Sequence, residues 1–257
     1  MIPFLTLLRR EVARFLKVAV QTVITPFVSS GLYILVFGVS LGANIKLESG
    51  MSYLAFLIPG LMMLGILNNA FQNSSSSIVN AKFTGELEDL RVVPVSRSQL
   101  IWALSFGSVI RGAVVGLITY LVGGMFLYLQ EGVWLTIAHP LELIFFVVVS
   151  GLIFGKLGIF AAFYAKTFDQ LSAVSAFVIL PLTYLGGVFI SIQHLSPFWQ
   201  QVASLNPLLY LINGLRHAIL GESDVQVLPA ILLSLIGLVV FHILARVSCA
   251  RGSFHRW

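Results

Sequence analysis

Charge is what this chain has least of. Of its 257 residues, 10% are Asp, Glu, Lys or Arg and 58% are hydrophobic, with a mean hydropathy of +0.98, whereas soluble domains carry about 25% charged residues. That deficit excludes a secreted, cytosolic or disordered chain and leaves a polytopic membrane protein. Cysteine is nearly absent as well. Cys249 stands alone, which excludes an intrachain disulfide and any metal site built from several cysteines, while leaving the redox compartment open. Acids are missing from the apolar segments: none of the ten lies deep in one, and Glu142 comes closest at an outer end. Proton or sodium coupling through a membrane carboxylate therefore lacks its usual group, although backbone-carbonyl sites remain open. His-Glu-x-x-His and a pair of membrane aspartates are missing too, the five histidines are scattered, and no residue is assigned a catalytic role. His242 reads as a satisfied packing residue. No basic run is interleaved with aromatics, so no nucleic-acid partner is expected.

What is present is a series of apolar segments. Residues 1–19 are interrupted by Arg9, Arg10, Glu11, Arg14 and Lys17. At about 100° per residue, Phe4, Leu5, Leu8, Val12, Phe15, Leu16 and Ala19 share one arc, and Thr6, Arg9, Arg10, Arg14 and Lys17 the other. Leu7 and Glu11 break the pattern. This predicts an amphipathic helix lying in the membrane interface, with Pro3 in its first turn. A signal peptide is the alternative, but Val18 to Gly42 is too long for its apolar region and ends in no small-residue cleavage site. Spans are predicted over about 20–42, 53–75, 99–127, 140–164, 171–192 and 225–247. Before the last one, Ser196-Pro197 and Asn206-Pro207 each set a capping residue ahead of a first-turn proline. Helices over 197–205 and 207–220 are too short to cross, so 193–222 is expected to be a re-entrant or interfacial hairpin.

Placing the N-terminus inside puts Arg9, Arg10, Arg14, Lys17, Lys82, Arg91, Arg97, Lys166, Arg246, Arg251 and Arg256 in the cytoplasm and only Lys46 and Arg216 outside. Both termini are then cytoplasmic. Arg111, about halfway along the third span, and Lys156, in the inner half of the fourth, fall within the membrane. Both are candidates to face a wet cavity or an anionic head group; Lys156 is equally placed to snorkel. Asn68, Asn69 and Gln72, with Asn73, add a polar face to the second span. They either line a path or mark the helix end, where the Ser74–Ser77 run would meet water. Asn73-Ser74-Ser75 matches a glycosylation site by chance, being cytoplasmic. Gly151-Leu-Ile-Phe-Gly155-Lys156 has three residues between its glycines instead of four and no following Ser or Thr, so the chain is not expected to bind ATP.

The loop after the second span, 83–95, starts with acids suited to a helix N-terminus and stops at Pro94. It is either a plain connector or a docking lever, with Leu87 and Leu90 on one side. Here Gly85, Leu87, Glu88, Leu90, Pro94 and Val95 match the Gly-x-Leu-Glu-x-Leu, Pro-aliphatic pattern of the permease subunits of type-2 ABC exporters, which the chain resembles. Thr84 departs from the charged residue often found before the glycine. Pro181 to Phe189, then Pro197, Trp199, Asn206, Pro207, Arg216 and Gly221, resemble that family's C-terminal signature. The resemblance covers essentially all of 1–257 as one transmembrane domain. It implies an all-α half-transporter in the inner membrane, two copies forming the path. A separate ATPase subunit carrying the ATP and Mg would dock on 83–95 as a coupling helix. Pro197, Trp199, Asn206, Pro207 and Arg216 would belong to an outer gate, and Asn68, Asn69, Gln72, Arg111 and Lys156 to the pathway. Lipids, hydrophobic drugs and lipid-linked glycans all suit an apolar and aromatic path. An ion-coupled carrier and a non-transport membrane scaffold are the rival readings.

Overall fold

The computed structural model describes residues 2–42, 50–89 and 95–251, and no strand occurs among them. The helices are α1 (Ile2–Lys17), α2 (Ala19–Tyr33, continued by a π segment Ile34–Leu41), α3 (Tyr53–Thr84), α4 (Glu86–Asp89) and α5 (Arg97–Glu131). After them come α6 (Pro140–Tyr164), α7 (Phe168–Val174, continued by a π segment Ser175–Ile179), α8 (Leu180–Leu185), α9 (Pro197–Ser204), α10 (Pro207–Leu220) and α11 (Val227–Arg251). Six stretches are long and apolar enough to cross a membrane: Thr22–Ser40, α3, α5, α6, Phe168–Leu185 and α11. The all-α, six-span expectation holds.

Helix α3 is the hub. It has 32 residues, about 48 Å at 1.5 Å each, and is buried along most of its length against α5, α6 and α10. Ser52 caps its start by accepting from the Leu54 N–H at 3.2 Å. Gly85 ends it in the left-handed region, φ 81°, which a side chain adopts only under strain. The helix therefore runs well past the 53–75 expected for it. Ser74, Ser75 and Ser77 do not meet water but are buried, because Ser74 pairs with Ser108 of α5 at 2.5 Å and Ser77 donates to Glu11 at 2.8 Å. The fifth span starts at Phe168 and stops at Leu185, short of the expected 192. The chain turns there through Gly186 and Gly187, the latter at φ 86°.

Helix α1 docks by the two residues that broke its amphipathic pattern. Leu7, Glu11 and Phe15, four apart, form the buried face, while Leu5 and Leu16 stay exposed. Glu11 is 1% exposed. Its carboxylate accepts from Ser77 and from the Arg14 guanidinium at 3.1 Å, with Arg10 at 3.5 Å. Gly107 of α5 makes room: a Cβ there would stand 3.0 Å from that of Glu11. Arg14 donates onward to the Asn73 carbonyl at 2.7 Å and to Ser76 at 3.2 Å, tying α1 to the inner part of α3.

The two ends of the bundle are distinct. At one end Ser52 bonds Glu131, the Tyr53 hydroxyl donates to the Phe189 carbonyl at 2.8 Å, and the His139 N–H donates to the Ala218 carbonyl at 2.8 Å. At the other, Arg10 pairs with Glu86 at 3.6 Å and Phe83 stacks on Phe168. Lys82, counted above as a loop cation, is buried there and donates to the last carbonyls of α6, Ala162 at 2.7 Å and Phe163 at 3.0 Å.

Removing the buried carboxylate leaves Ser77 without its acceptor and Arg14 without its counter-charge, so Glu11→Ala is expected to cost about 1–3 kcal/mol. It should lower the thermal unfolding midpoint in detergent more than Leu5→Ala does. An unchanged midpoint would mean that α1 docks through Leu7 and Phe15 alone.

Candidate functional site

A groove runs along one side of α3, walled by α2, α5 and the α7–α8 span. It consists of three hollows of about 370, 260 and 350 Å3. The first and second share Gln72 and Arg111, and the second and third border the same Tyr33. The inner hollow is polar, with Arg14, Ser75, Ser76, Ser172 and Ser175. The middle one adds Asn68, Asn69 and Thr119. The outer one is aromatic and aliphatic: Tyr33, Phe37, Tyr184 and Phe189 line it, with Phe37 and Phe189 centroids 4.8 Å apart. Both flanking spans carry π segments, and Ser175, which starts one of them, donates to Asn68 Oδ1 at 2.9 Å. The amide groups of Asn68 and Asn69 donate back to Leu64 and Gly65 carbonyls of their own helix, at 3.0 and 3.1 Å.

Four of the five expected pathway residues thus meet in one groove: Asn68, Asn69, Gln72 and Arg111. Lys156 does not. It is fully buried between α5, α6 and α11, with its ammonium 4.2 Å from the Trp102 ring centroid and no hydrogen-bond acceptor among the described residues. It neither snorkels nor faces the groove. His242 packs on Trp102 as well, 5.3 Å between centroids, but its Nδ1 has no partner among the described residues. The packing role holds and the satisfaction does not. Gly38-Val-Ser40-Leu-Gly42 spells Gly-x-Ser-x-Gly, yet it falls in the π segment, with Ser40 donating to the Leu35 carbonyl at 3.1 Å. That is not the strand-to-helix turn such a nucleophile needs.

Groove residues that sequence reasoning missed are Arg14, Ser172, Ser175, Tyr33 and the Tyr184–Phe189 pair. Ser172 and Ser175 carried a usable signal, being polar and three apart on an apolar span. The aromatics carried none, since any face of a lipid-bathed helix is apolar.

At the opposite end, Asn206 caps α10, accepting from the Leu208 N–H at 3.0 Å and donating to the Leu182 carbonyl at 2.6 Å. Ser196 sits at the N-cap of α9 but makes no side-chain capping bond. Pro197 and Pro207 occupy the first turns, and Trp199 is exposed. Arg216 is buried and clamps three elements. It donates to the Gly187 carbonyl at 2.7 Å and to Asn213 at 2.9 Å, lies 3.8 Å from the Phe56 ring centroid, and sits 3.9 Å from Asp224. Burial pushes its guanidinium down to about 10, opposed by the Asp224 carboxylate and Tyr53, so it stays charged at neutral pH. Asp224 also accepts from Ser191 at 2.7 Å.

Around the expected lever, Gly85 turns the chain and, among the described residues, α4 covers Glu86–Asp89. Leu87 points into the bundle and is buried. Glu88 lies in α4, while Leu90 and Pro94 fall outside the described residues.

The two sealed cations make opposite predictions. Lys156→Met removes an unbonded buried charge, so its unfolding midpoint should equal or exceed that of the wild type. Arg216→Met strands Asp224 and the Gly187 carbonyl and should cost about 3 kcal/mol. Thermal unfolding of both variants in detergent checks the sign; a destabilised Lys156→Met would reveal a bonded partner.

Residues 3–220 match the family described as ABC-2 type transporter. The inner membrane transport permease YadH of Escherichia coli (strain K12) is 36% identical over 243 residues, covering 95% of this chain and 93% of that protein. Nodulation protein J of Rhizobium leguminosarum bv. viciae is 24% identical over 225 residues, 85% of this chain and 83% of that protein. With six apolar spans and a match over most of its length, the chain is a multi-pass membrane permease belonging to the ABC-2 type transporter family.

Proposed function

We propose that this chain is the transmembrane half of an ATP-driven exporter in the inner membrane, carrying a lipid, a hydrophobic drug or a lipid-linked glycan out of the cytoplasm. The observation that carries the reading is the groove, polar at one end and aromatic at the other, open on a chain of this family. Its flanking spans leave much of their surface uncovered, Phe177 being 81% exposed and Val20 71%. A second copy seated on those faces would close the groove into a path between two subunits.

The end that bears α1, Lys82, Arg97 and Lys166 is the Lys- and Arg-rich one and faces the cytoplasm with both termini. There α1 lies in the interface, its Leu5 and Leu16 exposed to the bilayer. At the other end α9 and α10, 8 and 14 residues long, about 12 and 21 Å, form a re-entrant hairpin that closes the outer mouth, with Arg216 as its anchor. Energy comes from a separate ATPase subunit that holds the ATP and Mg. The near-match to a P-loop supports this division of labour. Gly151 and Gly155 serve as contact points of α6, where a Cβ would stand 2.9 Å from Val109 Cα and from Ser108 Cβ, and Lys156 is sealed. The ATPase docks at 83–95. Because Leu87 is buried and Glu86 is paired with Arg10, a push on α4 passes directly to the end of α3 and to α1.

Two measurements test the reading. The purified chain alone should hydrolyse no ATP, and reconstituted with an ATPase subunit that co-purifies with it should stimulate turnover; Glu88→Ala and Leu90→Ala should lose most of that stimulation while inserting normally. Turnover by the isolated chain, or transport driven by an ion gradient without the ATPase, would sink it.

Sidedness is checked separately. With Cys249 replaced, single cysteines at Gln193 and Glu222 should both react with an impermeant reagent from outside. Labelling of the two from opposite sides would overturn the hairpin.

A further inference from the structure

Five cations are buried or half-buried within the bundle, and four have an identifiable neighbour. Arg14 has Glu11, Arg216 has Asp224, Lys82 has the carbonyls of α6, and Lys156 has the face of Trp102. Arg111 is different. It is 9% exposed, makes no hydrogen bond or ion pair with any described residue, and its Nε is buried without an acceptor. The other charged side chain lining the inner hollow is Arg14, a like charge.

An unpaired guanidinium at that depth costs several kcal/mol, and a sealed one would have nowhere to find relief. Arg111 instead borders both the inner and the middle hollow, neither of which has a carboxylate among its lining residues. Glu11, the nearest candidate on α1, is already committed to Arg14, Arg10 and Ser77. A second copy offers little: among the described residues of the two exposed flanking spans, the only acid is Asp169, in the first turn of α7. Among the described residues none supplies the counter-charge, which leaves it to what the groove holds.

We infer that the groove binds an amphiphile with an anionic head group, a phosphate or carboxylate, seated beside Arg111 with its apolar tail toward Tyr33, Phe37 and Phe189. Arg111 offers a planar fork of donors matched to such oxygens. Gln72 and Ser75 stand in the same inner hollow as further donors, and beyond Tyr33 the lining turns aromatic. That order, polar toward α1 and apolar beyond, is the order of a lipid in the leaflet on the α1 side. The groove thus receives its ligand head-first from that leaflet. This narrows the substrate class and rests on the groove being the transport path.

The test is binding by the purified full chain without any ATPase, so its failure is separate from a failure of ATP coupling. The probes are phosphatidylglycerol and phosphatidylcholine with identical photoactivatable tails, in mixed micelles of equal composition, and the crosslinks are mapped by peptide mass spectrometry. Phosphatidylglycerol should label the α2 and α8 peptides about tenfold more than phosphatidylcholine, the size expected for one charged hydrogen-bonded contact. Arg111→Gln should abolish that preference, Arg111→Lys should keep part of it, and Lys156→Gln should leave it intact. Excess inorganic phosphate should not compete; if it does, the site takes a soluble anion and the amphiphile is overturned. Equal labelling by both lipids, or a preference that survives in Arg111→Gln or, should that variant not stay monodisperse, is unchanged in Arg111→Lys at raised salt, would overturn the head-group assignment. Arg111 itself would then be paired by some other group.

Discussion

Helices surrounded by lipid gain little from burying apolar side chains against one another, because the bilayer is as apolar as leucine; they associate by close approach and by bonds across the interface. In this chain that closeness is concentrated on α3. A Cβ on Gly158 of α6 would lie 2.5 Å from the Phe71 carbonyl oxygen of α3, one on Gly112 of α5 3.2 Å from the Ile66 carbonyl, and one on Gly60 2.6 Å from the Val188 carbonyl. With Ser74 bonded to Ser108, the Gly158 and Gly112 approaches lock α3, α5 and α6 into a rigid three-helix centre, and the Gly60 approach seats the turn at Val188 on it. The groove exists because α2 and the α7–α8 span lean on that centre along one side only, leaving their other faces bare.

The same glycines explain what could be read from the sequence and what could not. Span number, the exact reach of α6, and the proline starts of α9 and α10 were legible because each depends on local pattern or on capping. Gly151 and Gly155 read in the sequence as a failed P-loop, whereas their spacing of four on an apolar helix is the small-residue contact pattern that holds α6 to α5. The true length of α3 was hidden by its serines. Ser74 to Ser77 look like a helix meeting water only until the partners, Ser108 and Glu11, are known, and those lie 34 and 66 residues away. In α1, Leu7 and Glu11 looked like errors in an amphipathic pattern. That helix has an apolar exposed side, a charged exposed side and a buried face on α3 and α5, and a two-sided reading has no place for the third.

At the candidate site, Asn68, Asn69 and Gln72 could be read as one polar face from the helical period and Arg111 as a deep charge, and the four line one hollow. The sequence could not separate Arg111 from Lys156. Both are basic residues within apolar spans, and the difference between them is whether the space beside the charge is filled. Trp102 fills it for Lys156, whereas the gap between α5 and the fifth span leaves it open for Arg111. Depth in the membrane, which the sequence does report, was therefore the wrong variable; packing around the charge was the deciding one.

That distinction also bears on how the molecule would move. The clamp of Arg216 on Gly187, Phe56 and Asp224 fixes the outer end of the fifth span to the rigid centre. The inner end of that span is held more lightly, by Phe83 on Phe168 and by Ser175 on Asn68. In the proposed docking at 83–95, a displacement would reach Phe83 and Arg10 first, and the hollow around Arg14 and Arg111 would yield before the aromatic one. The π segment beginning at Ser175 lies between the two holds, where an extra residue per turn lets the helix bend without breaking its hydrogen bonds. Opening from the inner end would expose the polar part of the groove to the cytoplasmic leaflet while Tyr33, Tyr184 and Phe189 kept the outer part closed, which is the order of events that outward transport of an amphiphile requires.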